Sequence, residues 1–169
     1  MYIYRKQAWN LLGSIAPGLF FVLATSHALA EPVSLNGRDV LYNVADTWTQ
    51  IGEKKSRGIG TYEVTGLSFM ERGETGTALD RGSYMYEDGM SSAQGVYVVT
   101  FSDGSSFTQT YSATSRPGDD GIRISEGTFE FVEGTGRYSG IDGNGSYTGK
   151  QYPNDMIILD WQAQVKIPE

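Results

Sequence analysis

A segment near the C-terminus alternates between two sets of side chains, and this pattern constrains the fold more than any other feature. One set is apolar throughout: Ile157, Leu159, Trp161, Ala163, Val165 and Ile167. The other is mostly polar: Ile158, Asp160, Gln162, Gln164 and Lys166. A period of two predicts a β-strand with one buried face and one wet face. The strand predicted over Met156–Ile167 therefore needs a partner surface on one side only.

Upstream of this strand, turn residues recur at short intervals and helical periodicity is almost absent. The clearest hairpin joins two apolar runs around Asp103-Gly104, a dipeptide favoured in tight turns. Val40–Val44 fits either a short strand or a helical turn, and Gly66 is a candidate β-bulge. The predicted strands are 47–51, 60–72, 82–87, 95–102, 106–113, 122–132, 137–141, 146–152 and 156–167, with the pair 137–141 and 146–152 joined across 142–145.

About eight antiparallel strands with short connections predict an all-β fold, a closed antiparallel eight-stranded up-and-down barrel. Closure removes the exposed edges that a small open sheet would carry. A β-sandwich is the alternative. The predicted organisation is a leader over residues 1–30, an extended lead-in over 31–45 and the barrel domain over 46–169.

Residues 1–30 have the pattern of a secretory signal peptide. Arg5 and Lys6 precede a broken apolar stretch, and Ala28-Leu-Ala30 is a small-x-small cleavage signal. The stretch is too short and interrupted to span about 30 Å of hydrocarbon comfortably, which disfavours an uncleaved anchor. We therefore expect export to the periplasm or the medium, with no membrane insertion after cleavage.

Charge and composition narrow the function classes. All 20 acidic residues but only 11 of the 13 Lys and Arg follow residue 30, so the chain without its leader has a net charge of −9. This balance argues against a nucleic-acid partner. The single histidine, His27, lies in the leader and there is no cysteine, which removes thiolate nucleophiles and His-ligated zinc from the exported chain.

The same reasoning predicts no cofactor. Gly134-x-Gly136 lacks the lysine of a phosphate-binding loop and has no βαβ unit around it. Turn chemistry explains Asp119-Asp120 and the segment 142–146 better than a metal site does. We expect neither a nucleotide nor a metal.

Aromatic residues on the predicted strands are the candidate ligand-binding set. Tyrosine is amphipathic, so a tyrosine-lined barrel interior suits an apolar ligand with a polar group. The alternative is that most of these rings form a packed core or outer cross-strand pairs. Three mid-strand carboxylates, Glu63, Glu130 and Asp160, are expected to point outward by parity. The candidates for the interior are Tyr62, Tyr84, Tyr86, Tyr97, Phe101, Tyr111, Phe129, Phe131 and Trp161.

The run from Glu126 to Gly149 contains seven glycines interleaved with Phe and Tyr. Glycine inside a strand lets a sheet bend sharply or lets backbones approach closely. The run resembles the second half of barrels in the allene oxide cyclase and dirigent group. The resemblance rests on Gly127-Thr-Phe-Glu-Phe131, Gly134-Thr-Gly136, Tyr138, Gly140-Ile141, Gly143, Gly145, Tyr147 and Gly149.

That resemblance implies a calycin-like eight-stranded barrel that binds an apolar ligand in its interior. Plant members of the group cyclise an unsaturated fatty-acid epoxide or guide phenoxy-radical coupling. No catalytic set of the group matches positions in this chain, so no catalytic residue is carried over.

Three functions remain open at this stage. The favoured hypothesis is an exported barrel that binds a small apolar or aromatic molecule without converting it. The second is a cofactor-free cyclase or isomerase acting on an unsaturated lipid-like substrate, which needs little beyond positioning. The third is a filled barrel serving as a structural or protein-interaction module. Edge tyrosines and phenylalanines could equally serve a homo-oligomer interface.

Overall fold

A computed structural model describes residues 31–168 as a closed β-barrel. The predicted leader and His27 lie outside the described residues. The eight strands are β1 (Val33–Gln50), β2 (Arg57–Met70), β3 (Thr75–Glu87), β4 (Met90–Phe101), β5 (Ser106–Pro117), β6 (Arg123–Thr135), β7 (Asp142–Gln151) and β8 (Met156–Lys166).

Each strand pairs antiparallel with the next, and β1 pairs with β8 to close the barrel. The predicted eight-stranded up-and-down topology is confirmed. Between residues 31 and 168 there is no helix with the length and apolar character needed to cross a bilayer.

The strand bounds correct several predictions. Residues 33–45 belong to β1 rather than to a lead-in, and Val40–Val44 is strand. Residues 137–141 are not a strand, because Gly136–Tyr138 forms a 3₁₀ turn and β7 starts at Asp142. The segment 142–145 is thus part of β7 instead of a hairpin turn.

The strand β3 begins at Thr75, well before the predicted Gly82. Gly66 pairs in regular register with Leu41 and Ala78, so the predicted bulge at that glycine is wrong. The register shifts lie elsewhere, between Asn43 and Ala45 in β1 and between Thr108 and Gln109 in β5. A bulge re-aims the following side chains and sharpens the local bend.

A repeated glycine–aromatic pairing explains the unusual composition. In six cross-strand pairs an inward glycine faces an aromatic ring, and a Cβ added at the glycine would lie under 3.0 Å from that ring. The ring folds over the glycine and fills the space that a side chain would need, a device known to stabilise curved sheets. The pairs are Gly37–Trp161, Gly60–Tyr84, Gly82–Tyr62, Gly95–Tyr111, Gly127–Tyr147 and Gly145–Phe129.

One end of the barrel, which we call the sealed end, carries the turns 71–74, 102–105 and 136–141. The 3₁₀ turn inserts Tyr138 into the interior, with its ring 5.2 Å from Phe101 and 5.3 Å from Phe107 between centroids. Phe131 completes the cluster at 5.3 Å from Phe107. Close-packed rings therefore fill this half, and Phe107 is only 1% exposed.

Arg137 closes the sealed end from outside. Its guanidinium lies 4.6 Å from the centroid of Phe101, and it forms ion pairs with Asp103 at 2.8 Å and Glu74 at 3.2 Å. Glu74 also accepts a hydrogen bond from the Tyr138 hydroxyl. Charge-assisted contacts thus tie together all three turns of the sealed end.

Candidate functional site

The opposite half of the barrel is hollow. We call the end with the turns 51–56, 88–89, 118–122 and 152–155 the open end. A cavity of about 350 Å³ lies in this half, and that volume falls within the range of small-molecule pockets. Its lining combines tyrosines with aliphatic and small residues and includes Leu41, Tyr62, Val64, Asp80, Tyr84, Tyr86, Ala93, Tyr111, Arg123, Tyr147, Ile157 and Leu159.

The outer surface also has a larger depression, but its chemistry is less specific. It measures about 1100 Å³ and is lined largely by threonine and serine from β1 to β7. Charged groups are sparse there, since Glu126 is the only ionisable carboxylate in its lining. The interior cavity, where buried charge and aromatic rings converge, is the candidate site.

A chain of hydrogen bonds runs along one wall of the cavity and ends on a carboxylate. The hydroxyl of Tyr111 donates to Oδ1 of Asp80 at 2.8 Å, and the hydroxyls of Tyr62 and Tyr111 hydrogen-bond to each other. Because the Tyr111 proton is directed to Asp80, Tyr62 is the donor to Tyr111. The relay connects β2, β5 and β3 across the barrel interior.

Burial controls the protonation of this relay. Loss of solvent raises the pKa of Asp80 to about 7, partly opposed by the hydrogen bond from Tyr111 and reinforced by the charge of Asp39. Burial, followed by the charge of Asp80, raises the pKa of Tyr62 and Tyr111 well above the ordinary value. The tyrosines therefore stay neutral near pH 7, while Asp80 can exchange a proton there.

A second buried carboxylate, Asp39, lies beneath the cavity. It is 2% exposed, and its Oδ1 accepts a hydrogen bond from the indole Nε1 of Trp161 at 3.1 Å. Burial raises the pKa of Asp39, against the opposing influence of Ser68, Tyr97 and Trp161. The hydroxyls of Ser68 and Tyr97 lie close enough to influence this carboxylate, yet neither forms a hydrogen bond of normal geometry.

A small void of about 30 Å³ lies beneath the cavity, next to both carboxylates. Asp39, Asp80 and Tyr97 line it together with Gln109, Tyr111, Phe129, Tyr147, Leu159 and Trp161. Four residues line both spaces, namely Asp80, Tyr111, Tyr147 and Leu159. The void is thus the polar floor of the cavity.

Arg123 and a group of aromatic rings form the mouth of the cavity. The guanidinium donates to the Gly89 carbonyl at 3.1 Å and to Oγ of Ser115 at 2.8 Å, and it lies 5.6 Å from the centroid of the Tyr86 ring. Trp48 packs edge-on against Tyr86 at 5.7 Å. The mouth therefore has a cation that is held in place by hydrogen bonds and lies over the ring of Tyr86.

All nine predicted interior aromatics point inward, but the structure divides them among three levels. The tyrosines Tyr62, Tyr84, Tyr86 and Tyr111 line the cavity, and Tyr97, Phe129 and Trp161 line the void beneath it. Phe101 and Phe131 lie in the packed sealed end. The outward orientation expected for Glu63, Glu130 and Asp160 is confirmed, with Glu63 paired to Arg81 and Asp160 paired to Arg38.

The two buried aspartates were not predicted from the sequence. Asp80 has the same parity as Tyr84 and Tyr86, so extending the predicted strand backward past Gly82 would have placed it inside. Asp39 shares its parity with Leu35 and Leu41 in a segment interpreted as a lead-in. Tyr147 and Arg123 were likewise not selected, although Tyr147 lies opposite Gly127 in the glycine–aromatic pattern.

The arrangement can bind a small apolar molecule, offer it hydrogen bonds and exchange a proton with it at Asp80. Within residues 31–168, no three His, Cys, Asp or Glu side chains gather in a way that would hold a metal ion. The fold and site together define a small closed β-barrel with a polar-floored internal cavity.

Comparisons with known proteins give likeness at the level of structure only. No family model matches this chain, and no curated protein matches it. The pterocarpan synthase dirigent protein GePTS1 is 12% identical, with a TM-score of 0.49 over 93% of this chain and 98% of its own. A second pterocarpan synthase dirigent protein, PsPTS1, is 12% identical, with a TM-score of 0.46 over 83% of this chain and 98% of its own.

Proposed function

We propose that this protein is an exported barrel that binds a small, largely apolar molecule in the cavity of its open half. The main observation in support of this proposal is the cavity, which offers about 350 Å³ of tyrosine-lined space beside the buried carboxylate Asp80. Export is proposed on the leader pattern of residues 1–30.

The filled-barrel alternative does not account for the distribution of side chains. A packed core of this size uses apolar rings, as the sealed end does with Phe101, Phe107 and Phe131. The open half instead uses tyrosines and an aspartate, whose polar atoms need partners when buried. Apolar walls with a few convergent polar groups are the usual composition of a ligand pocket.

The first experiment is native mass spectrometry of the protein purified from the periplasm or medium of its own host, followed by extraction of any bound compound. We expect a co-purifying apolar or aromatic molecule, and the mass of the intact chain also reports cleavage after Ala30. A ligand-free mass, together with no thermal shift against a panel of apolar compounds, would rule out the binding function.

A second candidate function is a cofactor-free isomerase or cyclase acting on an unsaturated lipid-like substrate. The relay from Tyr62 through Tyr111 to Asp80 favours it, because a carboxyl group with a pKa of about 7 can donate or accept a proton near neutral pH. The cavity walls would hold one conformation of a reactive substrate, which is the larger part of such catalysis.

Stereochemistry separates this candidate from simple binding. An unsaturated fatty-acid epoxide that cyclises spontaneously yields a racemic product, whereas cyclisation in a chiral cavity yields an excess of one enantiomer. We expect that excess with the wild-type protein and a decrease with Asp80→Asn. A racemic product at protein concentrations that saturate binding would exclude the cyclase activity.

A further inference from the structure

We infer that the ligand of this cavity carries a protonated amine, which is held in the void between Asp39 and Asp80. This inference rests on the proposed binding function and adds the chemical class of the ligand. Three features of the void support it: its charge, its unpartnered hydroxyl and its size.

The charge of the void is not balanced by the protein. Asp39 and Asp80 both line it, and among the described residues neither forms an ion pair with a lysine or arginine. Buried carboxylates are normally paired with a cation or kept neutral by a proton. The cation of the cavity, Arg123, is held at the mouth by Gly89, Ser91 and Ser115.

The buried hydroxyl of Tyr97, which lines the same void, is not fully satisfied by the protein. Tyr97 is 7% exposed, and its hydroxyl lies near Asp39 and Ser68 but forms no hydrogen bond of normal geometry with either. Leaving a buried polar atom unpaired is energetically unfavourable, so such atoms usually contact water or a ligand. An ammonium group has three N–H donors, and two carboxylates with one hydroxyl oxygen offer three acceptors.

The size and walls of the void also suit an ammonium group. The void has room for at least one water molecule, and an ammonium group is of similar size. Phe129, Tyr147 and Trp161 line the void, and aromatic faces attract cations at short range. The four residues shared with the cavity above would let the apolar part of an amine extend into the 350 Å³ space.

Neutral alternatives fit the site less well. A neutral hydroxyl ligand supplies one proton to three acceptors, whereas an anionic group would face two carboxylates. Water can fill the void, and this is the arrangement that the amine must displace. Several ionisable groups face the void or the cavity above it: Asp39 and Asp46 on β1, Tyr62 on β2, Asp80, Tyr84 and Tyr86 on β3, Tyr97 on β4, Tyr111 on β5, Arg123 on β6 and Tyr147 on β7.

The test compares two probes that differ in one group, 2-phenylethylamine and 2-phenylethanol. Affinities are measured by calorimetry at about pH 8, where the amine is protonated and Asp80 is largely ionised. We expect the amine to bind at least about tenfold more tightly than the alcohol, which corresponds to about 1.4 kcal/mol. We also expect its affinity to increase from about pH 6 to about pH 8, as Asp80 loses its proton.

Three variants test which residues cause the preference for the amine over the alcohol. Asp80→Asn and Asp39→Asn keep side-chain shape, and each should lower the affinity for the amine much more than the affinity for the alcohol, so that most of the preference is lost. Asp80→Asn should also abolish the increase with pH. The matched control is Asp160→Asn, which removes an outward carboxylate from the same barrel and should preserve the preference.

The outcomes separate this inference from the proposed function. Equal binding of amine and alcohol, or a preference that survives in both interior variants, overturns the amine inference and leaves a ligand cavity. Binding of other apolar compounds without either probe also overturns it. If no compound of the apolar panel binds, the inference and the proposed function both fall.

Discussion

The sealed and open ends of this barrel use the same strands for opposite purposes. At the sealed end, phenylalanines from β4, β5 and β6 meet Tyr138 in a packed cluster, and Arg137 closes the turns over it. At the open end, the same strands present Ala93, Tyr111 and Arg123 around a hollow. A short antiparallel barrel can therefore separate its stabilising half from its binding half along the strand direction.

The two ends differ in the number of polar atoms that their interior side chains carry. Phenylalanine rings carry none, so they pack in the dry interior with nothing left unpaired. A tyrosine adds a hydroxyl that needs a partner, and in the open half Tyr111 finds one in Asp80 while Tyr97 finds none. Side chains with polar tips keep space, water or a ligand beside them, which explains why this half stays hollow.

The largest loss of stability is expected from removing an aromatic ring from the sealed end. Phe107→Ala removes a fully buried ring from the centre of the aromatic cluster and should lower the free energy of unfolding by about 3–5 kcal/mol. Tyr86→Ala at the mouth removes a half-buried ring and should lower it by about 1 kcal/mol. Denaturant titration measures both values. Equal losses would show that the two ends do not differ in their contribution to stability.

The next largest effect is the pH dependence of the free energy of unfolding that Asp80 causes. Its folded-state pKa of about 7 lies above the ordinary carboxyl pKa of 3.8, so below about pH 4 both states are largely protonated and stability carries no penalty. Between about pH 4 and pH 7 the unfolded chain ionises first and the folded state loses stability, by at most about 4 kcal/mol. Above about pH 7 this loss is constant.

Asp80→Asn removes that ionisation. Chemical denaturation at a series of pH values should therefore show a smaller decline from pH 4 to pH 7 in the variant than in the wild type. Asp160→Asn is the control, because the exposed ion pair with Arg38 lowers the pKa of Asp160 and gives the opposite sign. An unchanged slope in Asp80→Asn would contradict the raised pKa.

Adding a methyl group at Gly82 tests the glycine–aromatic pairing in the open half. Gly82→Ala would place its Cβ 2.5 Å from Cζ of Tyr62 and 2.7 Å from the Gln94 carbonyl oxygen. We expect a loss of about 1–3 kcal/mol in thermal or chemical unfolding. Tyr62→Leu should reduce that loss in the double variant, because the two sites are in contact and do not add independently. Strict additivity would disprove the pairing.

The smallest effect compares the two arginines that close the ends. Arg137→Ala should lower the free energy of unfolding by about 1 kcal/mol or less, because its ion pairs are partly exposed, and should not change ligand affinity. Arg123→Ala should leave stability nearly unchanged but alter ligand association and dissociation rates, since Arg123 lies at the mouth. Stopped-flow binding with any cavity ligand compares the two variants. If Arg137→Ala altered the ligand rates and Arg123→Ala did not, the roles assigned to the two ends would be reversed.

Strand parity was the most reliable guide to the fold and to the faces of the barrel. The alternation in β8 and the tight turn at Asp103-Gly104 both match the structure, and parity placed Glu63, Glu130 and Asp160 outside. Prediction failed where small or polar residues interrupt the pattern. Leu79 is the only large apolar side chain in residues 75–81, so the first half of β3, and Asp80 with it, was not recognised.

The amino-acid sequence by itself determined a set of antiparallel β-strands suited to a closed barrel, and it placed glycines inside those strands. Both follow from local rules, because alternation sets the face of each residue and a glycine lets a strand bend. The pairing of each glycine with an aromatic ring depends on the register between strands. Only the tertiary structure decided which end is packed and that Asp39 meets Asp80 over one void. These depend on the register of strands distant in sequence and on two bulges, which local patterns do not encode.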